Sequence, residues 1–489
     1  MQRQIRRVGL GLIVAFLAVF AQLNYVQIFA AERIAGNQAN IRTLLREYSI
    51  KRGDILTSDG QTIATSTATK GRLKYQRTYP DGELYGHLTG FYSVNYGKTR
   101  IEAAQDGVLL GDAGVLSMQD IEDRLFGSGR QGEDVVLTIN SKLQEAARAA
   151  LGGERGAVVA LDPQTGAIKA MWSNPSYDPG PLASHDSADA KKYYNSLDPD
   201  SPDSPLVDLA TSRTYPPGST FKVVTTAAAL ESGRYDRDSK FPDEAELKLP
   251  LSTETLTNFT KTACTSGGEI DLFTALEISC DTTYAILGLD IPGEIYDMAE
   301  AFGFNKAPPL GIGTEASNFP DVPDDEEPLR AYAAIGQGDT AATPLQMALV
   351  AAGVANGGEV LRPQLIQEIL DPSAGVVGRL KPDLLSTAMS SENARILTEM
   401  MVAVVETGTG AAAQIPGVKV AGKTGTAQTV EGENPHTWFI SFAPADDPQI
   451  AIAVIVENGG SFGSEATGGA VAAPIAKAVM EADRGIRGW

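Results

Sequence analysis

The chain has 489 residues, too many for one ordinary hydrophobic core, so two or more domains are expected. Its 43% hydrophobic and 21% charged residues are those of a globular protein. A formal net charge of −21 excludes the basic stripe that a nucleic-acid partner requires.

The first predicted element is an apolar helix. Val8 to Ala31 is a run of 24 residues without a charge. As a helix it would span about 36 Å, enough for a hydrocarbon core of about 30 Å. Arg3, Arg6 and Arg7 precede it, which favours a cytoplasmic N-terminus and places everything after residue 32 outside. A cleaved signal peptide is the competing reading, with Val8–Ala21 as its apolar core and Val19-Phe20-Ala21 as its cleavage site. Either way the rest of the chain lies outside the cytoplasm, and a retained single-pass anchor in the cell membrane is expected.

Residues 32–133 read as a small mixed domain. Arg52 to Ala64 suits two short extended pieces around the turn Ser58-Asp59-Gly60. Tyr75, Tyr79, Tyr85, Phe91, Tyr92 and Tyr96 are expected in its core. No catalytic constellation is visible here, which leaves a pedestal or partner-docking role.

The second domain is expected to begin near residue 134. Val135 to Ile139 suits a strand, and Ser141 to Leu151 a helix with Leu143, Ala147, Ala150 and Leu151 on one face. Ala157–Leu161 and Ile168–Trp172 read as a hairpin joined through Asp162-Pro-Gln-Thr-Gly166. Residues 181–212, rich in Ser, Asp and Pro, read as a long surface loop near the cleft mouth. Helical segments are expected from there to about residue 410, with the acidic block at 324–327 as a solvated loop. Three strands follow, Val418–Thr429, Trp438–Pro444 and Ile450–Glu457, then a helix near Val471–Ala482. Strands at both ends of a domain with helices between imply an α+β fold, a sheet covered by helices.

Three short blocks carry the chemistry: Ser219-Thr-Phe-Lys222, Ser279-Cys-Asp281 and Lys423-Thr-Gly-Thr426. A serine hydroxyl is a poor nucleophile at neutral pH and needs a base beside it. Residues three apart on a helix share a face, so Lys222 lies one turn past Ser219. Pro216-Pro217-Gly218 before Ser219 is helix-entry chemistry, and Phe221 to Leu230 is an apolar helix fit for burial. The later blocks can bring a second hydroxyl and a second cation to the same cleft. Together they describe acyl transfer through a serine ester without a histidine. His185 and Asp186 are neighbours in a polar stretch and form no triad, and His436 is expected at the surface beyond the Lys423 strand.

The chain has two cysteines, Cys264 and Cys280. Outside the cytoplasm a disulfide between them can persist, and it would pin Ser279; two buried free thiols are the alternative. A bond closing this loop contributes about 3 kcal/mol in the chain-entropy model. Two cysteines and three scattered histidines show no ligand spacing, so no metal or other cofactor is expected.

The three blocks match the signature of penicillin-binding proteins and serine β-lactamases. Longer runs resemble the transpeptidase domain of class B penicillin-binding proteins. These are Gly156–Gly166, Asn174-Pro-Ser-Tyr-Asp178, Ile335-Gly-Gln-Gly338, Thr343–Ala348 and Asn356-Gly-Gly358. Arg52-Gly-Asp-Ile55 and Asp59-Gly60 resemble the start of that class's N-terminal module. Thr214–Lys222 and Ala466-Thr-Gly-Gly-Ala470 look closest to an actinobacterial branch. The resemblance implies a stub and anchor at 1–31, a pedestal or dimerisation-like domain at 32–133, and a transpeptidase domain at 134–489 with an antiparallel sheet.

It also implies the substrate, a peptidoglycan stem peptide ending in D-Ala-D-Ala, in wall synthesis linked to division. Ser219 would be the nucleophile, Lys222 the acylation base and Ser279 a proton relay. Lys423 and Thr424 would hold the substrate carboxylate. Backbone N–H groups of Ser219 and Thr426 would hold the oxyanion, and Gly425 would let the substrate backbone approach. β-Lactams would acylate Ser219, and wall-complex proteins would dock on the N-terminal domain. One residue departs from the pattern, since the family's second block reads Ser-x-Asn where this chain has Asp281. An ionised carboxylate only accepts hydrogen bonds and brings a negative charge near two lysines; the alternative is that Asp281 merely caps a helix. A hydrolase, of β-lactamase or D,D-carboxypeptidase type, is the competing enzyme. The Glu-x-x-Leu-Asn motif of class A β-lactamases is lacking, its nearest string being Glu315-Ala-Ser-Asn318. A mainly scaffolding protein is the non-enzymatic reading.

Overall fold

The computed structural model describes residues 2–25, 41–111, 131–372, 375–428 and 433–489. Helix Gln2–Asn24 leads the chain. Its stretch Arg6–Asn24, about 28 Å long at 1.5 Å per residue, is long and apolar enough to cross a membrane, and its large apolar side chains are exposed. Residues 26–31 of the expected span lie outside the described residues.

One sheet has five antiparallel strands in the order Ala421–Ala427, His436–Ala443, Ile450–Val456, Gly156–Leu161, Ile168–Asn174. The hairpin and the three late strands fall where the sequence pattern puts them; Thr429, the expected end of the first late strand, lies outside the described residues. Gly156–Leu161 and Ile450–Val456 are buried throughout. Such strands read as continuous apolar runs because helices cover both faces. Ser141–Leu151 and Ala472–Arg487 pack together on one side. Pro344–Ala355, buried over nearly its whole length, lies against the central strands on the other.

The 134–137 strand is not part of that sheet. Asp134–Leu137 pairs in parallel with Ile55–Leu56 and antiparallel with Ile366–Asp371. The resulting six-stranded sheet runs Gly375–Arg379, Ile366–Asp371, Asp134–Leu137, Ile55–Leu56, Thr62–Ala68, Tyr75–Thr78. It draws strands from three separate parts of the chain. The region expected to be helical up to residue 410 thus contributes strands here, and three further short strand pairs besides. Those strands have three to six residues, too few for a period of two to stand out.

A buried ion cluster holds the N-terminal module together. Glu102, fully buried, accepts from Arg52 Nε and Arg77 Nε, each at 2.6 Å. Burial alone would push its carboxyl up, but the two guanidiniums hold it below the usual carboxylate range. Arg52 also reaches Asp106 at 2.6 Å, so the Arg-Gly-Asp-Ile run is a structural anchor. Tyr79, Tyr85, Phe91 and Tyr92 are buried as expected, whereas Tyr75 and Tyr96 are half-buried.

The two modules interlock. Helix Gly82–Thr89 lies on the Asn174–Asp178 segment so closely that a Cβ on Gly86 would stand 2.3 Å from Tyr177 O. Arg100 reaches across to Asp208, Thr211, Ser212 and the carbonyls of Ile312 and Gly313. Residues 181–212, expected as a loop at the cleft, contain helix Ser187–Ser196. Asp186 caps it by accepting from the N–H groups of Ala188 and Asp189. Only Ala190 of that helix is buried, so there was no apolar stripe to read. Tyr194 stacks on Tyr96 and Ser187 bonds Asn95, which places the segment against the N-terminal module.

Candidate active site

Ser219 sits in the 3-10 turn Gly218–Thr220, which leads into helix Lys222–Glu231. The turn is wedged between two elements. Gly218 donates its N–H to Gly336 O at 2.9 Å, and Trp438 Nε1 donates to Pro216 O at 3.0 Å. Gly425 has a packing reason within the fold. A Cβ there would lie 2.8 Å from Pro217 O and 3.0 Å from Thr220 Cγ2, so the glycine lets the strand approach the turn that carries Ser219. Gly336 plays the same part from the other side, where a Cβ would stand 2.3 Å from Gly218 O.

The helix start points Lys222 inward, and its side chain is fully buried. Its Nζ donates to Asp281 Oδ1 at 2.7 Å, Ser279 O at 2.9 Å and Ser279 Oγ at 3.4 Å. Lys423, on the edge strand Ala421–Ala427, is fully buried too and donates to Ser279 Oγ at 2.8 Å and Thr424 O at 3.0 Å. One hydroxyl therefore joins two buried amines. Burial lowers the Lys423 amine well below the ordinary lysine value, and the nearby Lys222 charge lowers it further. Burial also lowers Lys222, against the opposing pull of Asp281. Among the described residues no hydrogen bond joins Lys222 to Ser219.

Ser279 adopts a left-handed backbone, φ 65°, which a residue with a side chain holds only where its surroundings impose it. Helix Leu272–Glu277 precedes it and helix Asp281–Asp290 follows. The Cys264 and Cys280 sulfurs are 2.10 Å apart, a bonded distance, so the residue beside Ser279 is tied to the loop at 264. Asp243 lies close to both sulfurs. Those sulfurs are bonded to each other, and Asp243 accepts from the N–H groups of Cys264, Thr265 and Gly267, so the trio is no metal cage.

Asp281 is half-buried and its carboxylate is divided between two partners. Oδ1 takes Lys222, and Oδ2 accepts from Phe259 N–H at 3.1 Å. It does not cap its own helix. That work falls to Asn258, a residue no sequence pattern singled out, whose Oδ1 accepts from the N–H groups of Asp281 and Thr282. Thr424 and Thr426 alternate with Lys423 along the strand. The Thr424 hydroxyl is buried and paired with Thr409 at 2.7 Å, while Thr426 is half-buried and accepts from Gly468 N–H. The Ala466–Ala470 run therefore backs the third block.

The other singled-out groups lie apart from this cluster. His185 meets Tyr48 edge-on. His436 is half-buried; its Nδ1 accepts from Asn458 N–H and its ring meets Tyr215 edge-on. Burial lowers its pKa. Glu315 is exposed, and Asn318 bonds the backbone of Asp339 and Ala341.

Comparison with known proteins agrees with this geometry. Residues 156–481 match the penicillin binding protein transpeptidase domain, and residues 52–135 match the penicillin binding protein A dimerisation domain. The chain is 41% identical to the peptidoglycan D,D-transpeptidase PbpA of Mycolicibacterium smegmatis, over 99% of both. It is 39% identical to PbpA of Mycobacterium tuberculosis over the same shares. The structure matches penicillin-binding protein A of M. tuberculosis in its ceftriaxone acyl-enzyme complex, with a TM-score of 0.84 and 40% identity, covering 90% of this chain and 99% of that one. The penicillin G acyl-enzyme of the same protein matches with a TM-score of 0.81, 40% identity, and coverage of 89% and 100%. The chain belongs to the penicillin-binding protein transpeptidase family, in its class B branch.

Proposed function

We propose that the protein is a peptidoglycan D,D-transpeptidase, held in the cytoplasmic membrane by its N-terminal helix with the catalytic module outside. The two buried lysines bridged by the Ser279 hydroxyl carry this reading, because they supply base and proton relay next to Ser219 without histidine or metal. Ser219 Oγ attacks the carbonyl carbon of the penultimate D-Ala and gives its proton to neutral Lys222. The C–N bond to the last D-Ala breaks, and that nitrogen takes a proton through Ser279, with Lys423 as the far end of the relay. An amine from a second stem then attacks the ester, releases Ser219 Oγ and closes the cross-link. The N–H groups of Ser219 and Thr426 hold the oxyanion in both steps. Lys423 supplies the positive field for the substrate carboxylate, and the Thr426 hydroxyl is the contact within reach. Thr424, paired with Thr409, supports that strand. Residues 32–133 act as a pedestal for the catalytic module and a face for wall-synthesis proteins.

Incubation with a D-Ala-D-Ala donor peptide and an amine acceptor tests the reaction class. Mass spectrometry should find the amide-linked product and free D-Ala. Release of D-Ala with the donor only hydrolysed, at saturating acceptor, would assign a carboxypeptidase instead.

Asp281 tunes this chemistry through charge. Lys222 works as a base only when unprotonated, and the Asp281 carboxylate at 2.7 Å raises its pKa against the lowering effect of burial. Acylation is therefore lost as pH falls through the Lys222 value. Asp281→Asn removes the charge at constant size, so the acid limb of the acylation-rate profile should move to lower pH with the fold intact. Superimposable profiles for the two proteins would show that Asp281 has no hold on the base.

A further inference from the structure

The segment between Glu254 and Cys264 contains a residue whose side-chain oxygen serves the backbone at the second block and whose nitrogen holds the loop around it. Asn258 is buried, with 3% of its surface exposed. Its Oδ1 accepts from Asp281 N–H and Thr282 N–H, both at 3.0 Å. Its Nδ2 donates to Glu244 O and Thr262 O, both at 2.9 Å. An amide has two acceptor sites and two donors, so all four are used, each with the partner its chemistry demands. Helix Asp281–Asp290 has no side-chain cap of its own. Its first N–H groups are satisfied from a loop 23 residues upstream in the Asn258–Asp281 contact. The next residue continues the contact, since Phe259 N–H binds the Asp281 oxygen turned away from Lys222.

We infer that Asn258 is the positioning residue of the second block: its amide caps the Asp281–Asp290 helix across the loop, and so fixes Ser279 and the Asp281 carboxylate against Lys222. This rests on the transpeptidase reading for the roles of Ser279 and Lys222. Asn258 touches neither amine. It acts on the backbone that follows the left-handed Ser279 and, through its neighbour Phe259, on the Asp281 oxygen that Lys222 does not hold. The disulfide ties the same loop to Cys280, but a bond through rotatable side chains does not set the direction of the Asp281 N–H.

The test separates positioning from bulk stability by combining a rate with a pH profile. The groups facing Lys222 are Asp281 and Ser279 on the block itself, Lys423 from the edge strand, through Ser279, and the Tyr284 ring at 5.2 Å from the helix. Glu244 offers its carbonyl to Asn258. Acylation by a fluorescent penicillin is measured against pH for the full chain, for Asn258→Ala and for Asn258→Asp. Asn258→Ala should lower the plateau rate about 10- to 100-fold, the scale of a small misplacement of a catalytic group. Its acid limb should move to lower pH, because the released loop takes with it the Phe259 N–H that holds Asp281 on Lys222. Asn258→Asp keeps an acceptor for both N–H groups and should restore the plateau to within a few-fold of wild type. Its acid limb should sit at or above that of wild type. A folded Asn258→Ala with wild-type plateau and limb overturns the inference. So does a lowered plateau with an unmoved limb, which is what a merely structural residue gives. If Asn258→Ala does not fold, Asn258→Asp decides alone, and a loss there of ten-fold or more means that the loop contacts of Nδ2, not the cap, matter. Failure of the transpeptidase reading is seen separately, as wild-type protein that takes no penicillin at all.

Discussion

Ser219→Ala is expected to abolish covalent labelling by penicillin. Intact mass should show one adduct per wild-type chain, mapped to the peptide containing Ser219, and none on the variant. The structure makes this a clean substitution. No hydrogen bond from Ser219 Oγ is among those of the described residues, and the turn that carries it is held by Gly218, Gly336 and Trp438 instead. Melting temperature should therefore stay at the wild-type value while labelling falls below detection. An adduct that survives in Ser219→Ala would move the nucleophile elsewhere.

Lys222→Ala should be nearly as severe, but through rate. Removing a general base costs about 10²- to 10⁴-fold. The loss should be similar for every β-lactam, because each needs the same proton taken from Ser219. Lys423→Ala should instead vary with how strongly the ligand depends on its carboxylate. The Lys222 variant also leaves Asp281 without its cation, so its folding must be checked before the rate is read. A folded Lys222→Ala that is acylated across a ligand panel at near wild-type rates places the base on another group, and Lys423, the other buried amine on Ser279 Oγ, is then first in line.

The parts legible in the sequence are those whose signal is long or whose chemistry is unusual. Gly156–Leu161, His436–Ala443 and Ile450–Val456 are six to eight residues long, almost wholly buried, and written as apolar runs. The three blocks are legible because a hydroxyl and an amine one turn apart, followed at set distances by another of each, seldom serve packing alone. Residues that act across space were not legible. Asn258 belongs to no periodic run, and its partners become neighbours only when the loop folds back. Glu102 looks like any helix glutamate until Arg52 and Arg77 close on it. The closeness of Gly425 to Pro217 and Thr220 is hidden as well, because that turn meets the strand only in the fold. Asp281 was visible as a departure from the family pattern. Which of its two oxygens pairs with Lys222, and that another residue caps its helix, required the fold.

The six-stranded sheet has a consequence for how the chain is made. Its inner strands Asp134–Leu137 and Ile55–Leu56 are neighbours, yet the strand on the far side of Asp134–Leu137 comes from Ile366–Asp371. During synthesis the N-terminal module therefore carries an open strand edge until some 230 further residues have left the ribosome. Long-range closure of this kind is slow, and open edges invite pairing with other chains. Cutting the gene at residue 134 to obtain the catalytic part alone would leave a different edge open for good. Ile366–Asp371 would keep Asp134–Leu137, but Asp134–Leu137 would lose Ile55–Leu56 on its other side. One sheet thus takes strands from both parts of the chain, and the last of them to be made come from the second.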